Sequence, residues 1–271
     1  MTANSQHKLS MMPIMIVLVA AVIWDAILWL MPEKDTVWNF LFNICYATFF
    51  LYALFAGLYG AKVLGIKNSL GKAMLFLGLG AGAYGIATYI WVFYNIVLHV
   101  DVPFPSIADA FFLLLSPLMA IGCWNLLGML RSQVIRRHIL ESIGIFVAAC
   151  VVIFGFVYKI EIAKSIPLLT NLINIFYPLG DVILISIAFI VWRTGGGKLH
   201  RGVMILVIGL LLQTIADSIF TLETSTSTYW NGGTSDAMWA LAGFVFSLAM
   251  INLYNGFVVL PPQNTSGQIS N

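Results

Sequence analysis

The chain has 271 residues, 61% of them hydrophobic and 9% charged, with a mean hydropathy of +0.96. A soluble domain carries about 25% charged residues, so an ordinary soluble fold is excluded. A net charge of +2, from 13 Lys and Arg against 11 Asp and Glu, is too small to point to nucleic acid. The composition is that of a polytopic membrane protein whose first partner is the lipid bilayer.

A helix needs about 20 mostly apolar residues to cross the hydrocarbon core. In chain order the segments that qualify are 13–31, 38–61, 72–99, 105–130, 139–159, 168–192, 202–223 and 235–259, which predicts an all-α bundle of eight transmembrane helices over 13–260. The first segment reads as a mature helix, not a signal peptide: it contains Asp25, only Lys8 precedes it as a basic residue, and no A-x-A site follows. Residues 1–12 and 261–271 are short tails. Lys8, Lys62, Lys67, Lys72, Arg131, Arg136, Arg137, Arg193, Lys198 and Arg201 fall on one side of these spans, against Lys34, Lys159 and Lys164 on the other. Basic residues collect on the cytoplasmic side, so both termini are expected in the cytoplasm.

Cys45, Cys123 and Cys150 all fall inside predicted spans and match no metal or disulfide spacing. His7, His138 and His200 lie at the cytoplasmic boundary. His99, at the outer end of the third span, and the nearby Asp101 form a weak metal-site candidate.

Sliding the chain against itself by 127 residues places Leu79, Gly82, Phe93, Asp109, Ala110, Leu114, Asn125 and Leu126 on Leu206, Gly209, Phe220, Asp236, Ala237, Leu241, Asn252 and Leu253. A slide of 131 places Leu41, Asn43, Ile44 and Tyr46 on Leu172, Asn174, Ile175 and Tyr177. The polar pairs are the informative ones in so apolar a chain. They predict two duplicated halves, about 13–130 and 139–260, inserted in parallel about an axis along the membrane normal.

Asp25, Asp109, Asp181, Asp217 and Asp236 lie in or at the ends of the spans, and the topology places them in the outer half of the membrane. An Asp at mid-membrane costs at least about 2.5 kcal/mol, so each is expected to face the bundle interior or an interface. Pro105 and Ser106 before Asp109, and Gly233, Thr234 and Ser235 before Asp236, also suit a capped first turn; capping and ligand binding both remain open for these two acids. Asp181 and Asp217 have no terminus to cap. Pro178 and Gly180 predict a kink or unwinding beside Asp181. Trp24, Trp29, Tyr89, Trp91, Tyr94, Tyr229, Trp230 and Trp239 gather at the same depth, where an interfacial aromatic belt is expected in any case. Phe112 follows Asp109 by three residues as Trp239 follows Asp236, so each acid shares a helix face with an aromatic ring. The candidate ligand-binding or relay residues are therefore Asp181, Asp217, Asp109, Asp236, Asp25, Trp239, Trp91 and Tyr177. Gly78, Gly80, Gly82 and Gly85 are spaced for close helix packing.

The chain carries no G-x-S-x-G, H-E-x-x-H, Walker A or dinucleotide motif, and no late-helix Lys for a retinal Schiff base. No catalytic residues and no cofactor are indicated, and a non-enzymatic role is expected.

The segments PSIADAFFLLLSPLMAIG, FYPLGDVILIS and IADSIFTLETSTSTYWNGGTSDAMWALAGFVFSLA resemble the multi-helix membrane domain at the N-terminus of many bacterial GGDEF and EAL signalling proteins. The resemblance implies a sensory input domain in a prokaryotic plasma (inner) membrane, with Asp109, Asp181, Asp217, Asp236 and Trp239 at recurrent family positions. After Leu260 only PPQNTSGQISN remains, so the expectation is signal transduction through a separate cytoplasmic partner, with a homo-oligomer or a membrane-complex subunit as further possibilities of assembly. Together these features predict a sensor with an outward pocket that binds a cation or cationic amphiphile. The alternative is a proton-coupled transporter or permease using the same carboxylates.

Overall fold

The structure is a computed structural model that describes residues 7–130 and 167–258, together with scattered residues between His138 and Gly155. The described residues form helices α1 (Met12–Leu30), α2 (Val37–Leu64), α3 (Ser69–Ile96), α4 (Ile107–Phe112), α5 (Leu115–Leu127), α6 (Leu168–Thr194), α7 (Gly197–Ser225) and α8 (Thr234–Phe257). Counting α4 and α5 as one span, 7 of these segments are long and apolar enough to cross a membrane. A helix satisfies its backbone hydrogen bonds internally, which hydrocarbon demands.

The fourth span and the Pro178 site depart from expectation. The fourth span, 105–130, is two helices joined by a turn at Leu113 and Leu114. The eight-helix count rested on the span at 139–159, most of which lies outside the described residues; those described between His138 and Gly155 are helical. Pro178 does not unwind its helix, for α6 runs unbroken through it. The single bond lost, from residue 178 to the Asn174 carbonyl, leaves the flanking turns bonded.

Starts are set locally. The Asn39 side-chain oxygen accepts the Thr36 N–H and hydroxyl at 2.9 and 2.7 Å at the head of α2, and Asn68 accepts the Leu70 N–H at 3.1 Å before α3.

Neighbouring helices run α2, α3, α5, α6, α7, α8 and back to α2, a closed ring, with α1 outside it against α2 and α8. The ring is tightest between α2 and α3, where glycines remove the side chains that would hold the backbones apart. A Cβ on Gly57 would stand 2.7 Å from the Gly78 Cα, and one on Gly78 2.9 Å from the Gly57 Cα. This small-residue seam suits lipid, where close van der Waals contact drives helix association. Phe42, Phe49, Phe50, Phe246 and Tyr254 are fully buried where α2 and α8 meet. On the outside, Val19, Val22, Phe55, Trp124 and Leu222 are exposed, as lipid-facing residues are. By contrast, among the described residues α6 packs mainly on its ring neighbours α5 and α7, without a comparable seam against α2, α3 or α8.

The α2–α3 seam yields a test. Gly57→Leu drives a side chain into Met74 and Gly78 backbone and is expected to destabilise by about 2 kcal/mol or more. Gly196→Ala, with no atom within 4 Å of its new Cβ, is expected to stay within about 0.5 kcal/mol of the parent. Thermal unfolding in detergent separates the two.

Candidate binding pocket inside the helix ring

Because α6 stands off the centre, the ring encloses a cavity of about 790 Å³. It is lined by Tyr46 of α2, Tyr84 and Trp91 of α3, Asp109 and Phe112 of α4, Tyr177 and Asp181 of α6, Asp217 and Phe220 of α7, and Trp239 of α8. Among the described residues that line it there is no Lys, Arg or His. Asp181 and Asp217, from adjacent helices, bring their carboxyl groups within hydrogen-bonding range of each other. Asp217 also accepts the Trp239 indole N–H at 2.7 Å and the Gln213 amide at 3.1 Å. The Gln213 donor sits one helical turn before its acceptor, on the same face of α7.

Asp109 is both cap and wall. Its Oδ2 accepts the Ser106 N–H at 2.6 Å and the Ser106 hydroxyl at 2.9 Å, while Ser106 Oγ accepts the Ala108 N–H at 3.1 Å. Its Oδ1 accepts the Tyr177 hydroxyl at 2.8 Å, joining α4 to α6. Structural capping and a place in the cavity thus coexist in one carboxylate.

Asp236 is fully buried behind the cavity wall and lines none of it. Neither Thr234 nor Ser235 caps α8 as expected; Ser235 instead donates to Glu223 Oε2 at 2.7 Å. The carboxyl group turns back on the preceding loop, where it accepts the Gly232 N–H at 2.5 Å and the hydroxyls of Tyr46 and Tyr229, each at 3.4 Å. Burial first, and the Asp236 carboxyl second, push the Tyr229 phenol well above its ordinary value, so it stays a donor.

The same loop is tied down through Asn231. Its Oδ1 accepts from Asn43 at 2.9 Å, Trp91 at 3.0 Å and Tyr229 at 3.3 Å. Its backbone N–H and amide donate to Asp35 at 2.8 Å each, and its carbonyl accepts from Asn39 at 2.9 Å. Trp91 is therefore held at the rim by an amide in addition to its depth in the membrane.

The sequence candidates divide accordingly. Asp109, Asp181, Asp217, Trp91, Trp239 and Tyr177 line one cavity, and Asp236 braces two of its tyrosines. Asp25 is not brought in, because α1 lies outside the ring. His99 and Asp101 sit exposed on the α3–α4 loop, and no group of three metal-ligating side chains forms among the described residues. Trp29 and Trp230 stack edge to face at 5.1 Å, with the Lys34 ammonium 4.4 Å from the Trp230 ring, apart from the cavity. Missed in the sequence were Gln213, Asn231 and Tyr84. Gln213 was detectable as an amide one turn before an intramembrane acid; nothing local marks Tyr84 or Asn231.

Comparison with protein-family models, with curated proteins and with solved structures finds no match to this chain.

Replacing Asp236 by Leu strands the buried Gly232 N–H and removes the acceptor of the Tyr46 hydroxyl, an expected loss of about 3 kcal/mol. Asp236→Asn keeps an acceptor oxygen and is expected to lose about 1 kcal/mol. Chemical or thermal unfolding in detergent measures both.

Proposed function

We propose that this integral membrane protein is a ligand-binding sensory module whose site is the cavity inside the helix ring. The single observation that carries this reading is the cavity itself: about 790 Å³, within the range of small-molecule sites, lined by aromatic and apolar groups with a few convergent polar ones. Three carboxyl-bearing side chains face it with no basic side chain beside them. Intramembrane acids are expensive to insert and are kept where they contact a ligand, an ion or each other.

The proposal includes a duplicated architecture. Two hydrogen bonds support it: Tyr177 donates to Asp109 and Tyr46 donates to Asp236. The slides that match Tyr46 with Tyr177 and Asp109 with Asp236 also exchange these two bonds, so each half supplies the tyrosine and the other half the acid. The order of neighbours in the ring agrees, since exchanging α2, α3 and α5 for α6, α7 and α8 returns the same ring. Asn125 and Asn252, another matched pair, each bond the carbonyl one turn back at 2.8 Å.

Cytoplasmic termini, and the resemblance to input domains of GGDEF and EAL signalling proteins, complete the reading. Ligand in the cavity would shift α6 against α5 and α7, and the helix ends at the basic side would carry the change to a separate partner in the cytoplasm.

Native mass spectrometry of protein extracted in mild detergent, at pH 7 and again at pH 5, tests the module. A small molecule retained at pH 7 and absent from the Asp181→Asn/Asp217→Asn protein is expected. Retention that is unchanged in the folded double variant defeats the assignment of the cavity. The approximate two-fold ring and the contact between Asp181 and Asp217 favour, as a second reading, a proton-coupled transporter. Proton or solute flux in proteoliposomes, abolished by Asp217→Asn, would select it; a sensor shows none.

A further inference from the structure

We infer that the cavity takes a bulky organic cation, a quaternary or alkylated onium group carrying an apolar body, with its charged centre between the Asp181–Asp217 pair and the Trp239 ring. This rests on the ligand-binding reading above and names the class of ligand.

Charge comes first. Asp109 already accepts two donors from Ser106 and one from Tyr177, so it asks little of a ligand. Asp217 is served only by neutral donors, Trp239 and Gln213, and its neighbour Asp181 is another acid. Gln213, behind the lining, is 2% exposed, and its Oε1 has no hydrogen-bond partner. The acids of this part of the wall thus meet only neutral partners, and no described side chain of the lining supplies positive charge. A cation is the complement; an anion would meet carboxyl groups with nothing to offset them.

The walls decide which kind of cation. From Phe112 the rings run to Tyr84 at 4.8 Å, to Trp239 at 6.2 Å, to Phe220 at 5.3 Å and to Tyr229 at 4.9 Å between centroids. Every one of these rings lines the cavity. Ring faces carry negative potential and attract weakly hydrated cations, quaternary ammonium above all. Trp239 joins the two halves of the site, for its N–H holds Asp217 while its ring belongs to the aromatic wall. A hard metal ion fits poorly, because it needs six or more oxygen ligands closed around it. Here the acids face a chamber of about 790 Å³ instead.

The test uses three tetrahedral probes of similar bulk and different charge on protein in lipid nanodiscs, with empty nanodiscs subtracted: tetraphenylphosphonium, tetraphenylborate and neutral triphenylphosphine oxide. Saturable binding of the phosphonium, with the borate at least tenfold weaker, is expected. Asp217→Asn and Asp181→Asn should each weaken the phosphonium roughly tenfold or more, and Trp239→Leu similarly. Asp101→Asn, an acid outside the cavity, should leave it unchanged. A monodisperse size-exclusion profile establishes that each variant is folded, and Trp239→Phe, which keeps a ring, should retain more affinity than Trp239→Leu. Equal binding of the three probes, or preference for the borate or the oxide, overturns the cationic class while leaving the ligand-binding reading standing. Saturable binding of none of them overturns both. Phosphonium binding that ignores the Asp substitutions overturns the site.

Discussion

A polar side chain in hydrocarbon must find its partner inside the protein, since no water competes for it. Most of what organises this bundle follows from that constraint. Asp236 gathers the α7–α8 loop and two tyrosines around itself, Asn231 ties the same loop to α2, α3 and the α1–α2 loop, and Asp109 fastens α4 to α6. Apart from the local bonds of Asp236 to Gly232 and Tyr229, these bonds cross between segments far apart in the chain. Together they fix one end of the helix ring, while the glycine seam of α2 and α3 fixes its middle.

Asp217 obeys the same rule in a different way. It is bonded by Trp239 and Gln213, but it lines a cavity beside another acid, so its surroundings are neither dry packing nor bulk water. The contrast between Asp236 and Asp217 separates a structural acid from a candidate functional one more clearly than burial does. One closes a loop by accepting its N–H; the other holds an aromatic wall in place and faces open space.

That space exists because the two sides of the ring are packed differently. On one side α2 seats deeply between α3 and α8, bringing Phe42, Phe49 and Phe50 into the core. On the opposite side α6 meets its neighbours along narrower contacts, closest where a Cβ on Gly180 would stand 2.9 Å from the Ser116 Cβ.

Much was legible in the sequence because it depends on local quantities. Span length against bilayer thickness announced the all-α membrane bundle, the spacing of Gly78 and Gly80 announced close packing, and the scarcity of polar residues singled out Asp109, Asp181, Asp217 and Trp239. Depth along each helix follows from counting residues, so the acids are expected in the outer half of the membrane from the sequence alone. Rotation about each helix axis does not follow from counting in so apolar a chain, where nearly every face is hydrophobic. Only the tertiary structure could show that Asp25 lies outside the ring while Asp181 and Asp217 share its cavity, that Asp236 turns away to a loop, that Tyr84 joins the wall and that Gln213 holds Asp217. Membrane thickness determined which residues share a depth; the packing of helices against one another decided which of them share a site.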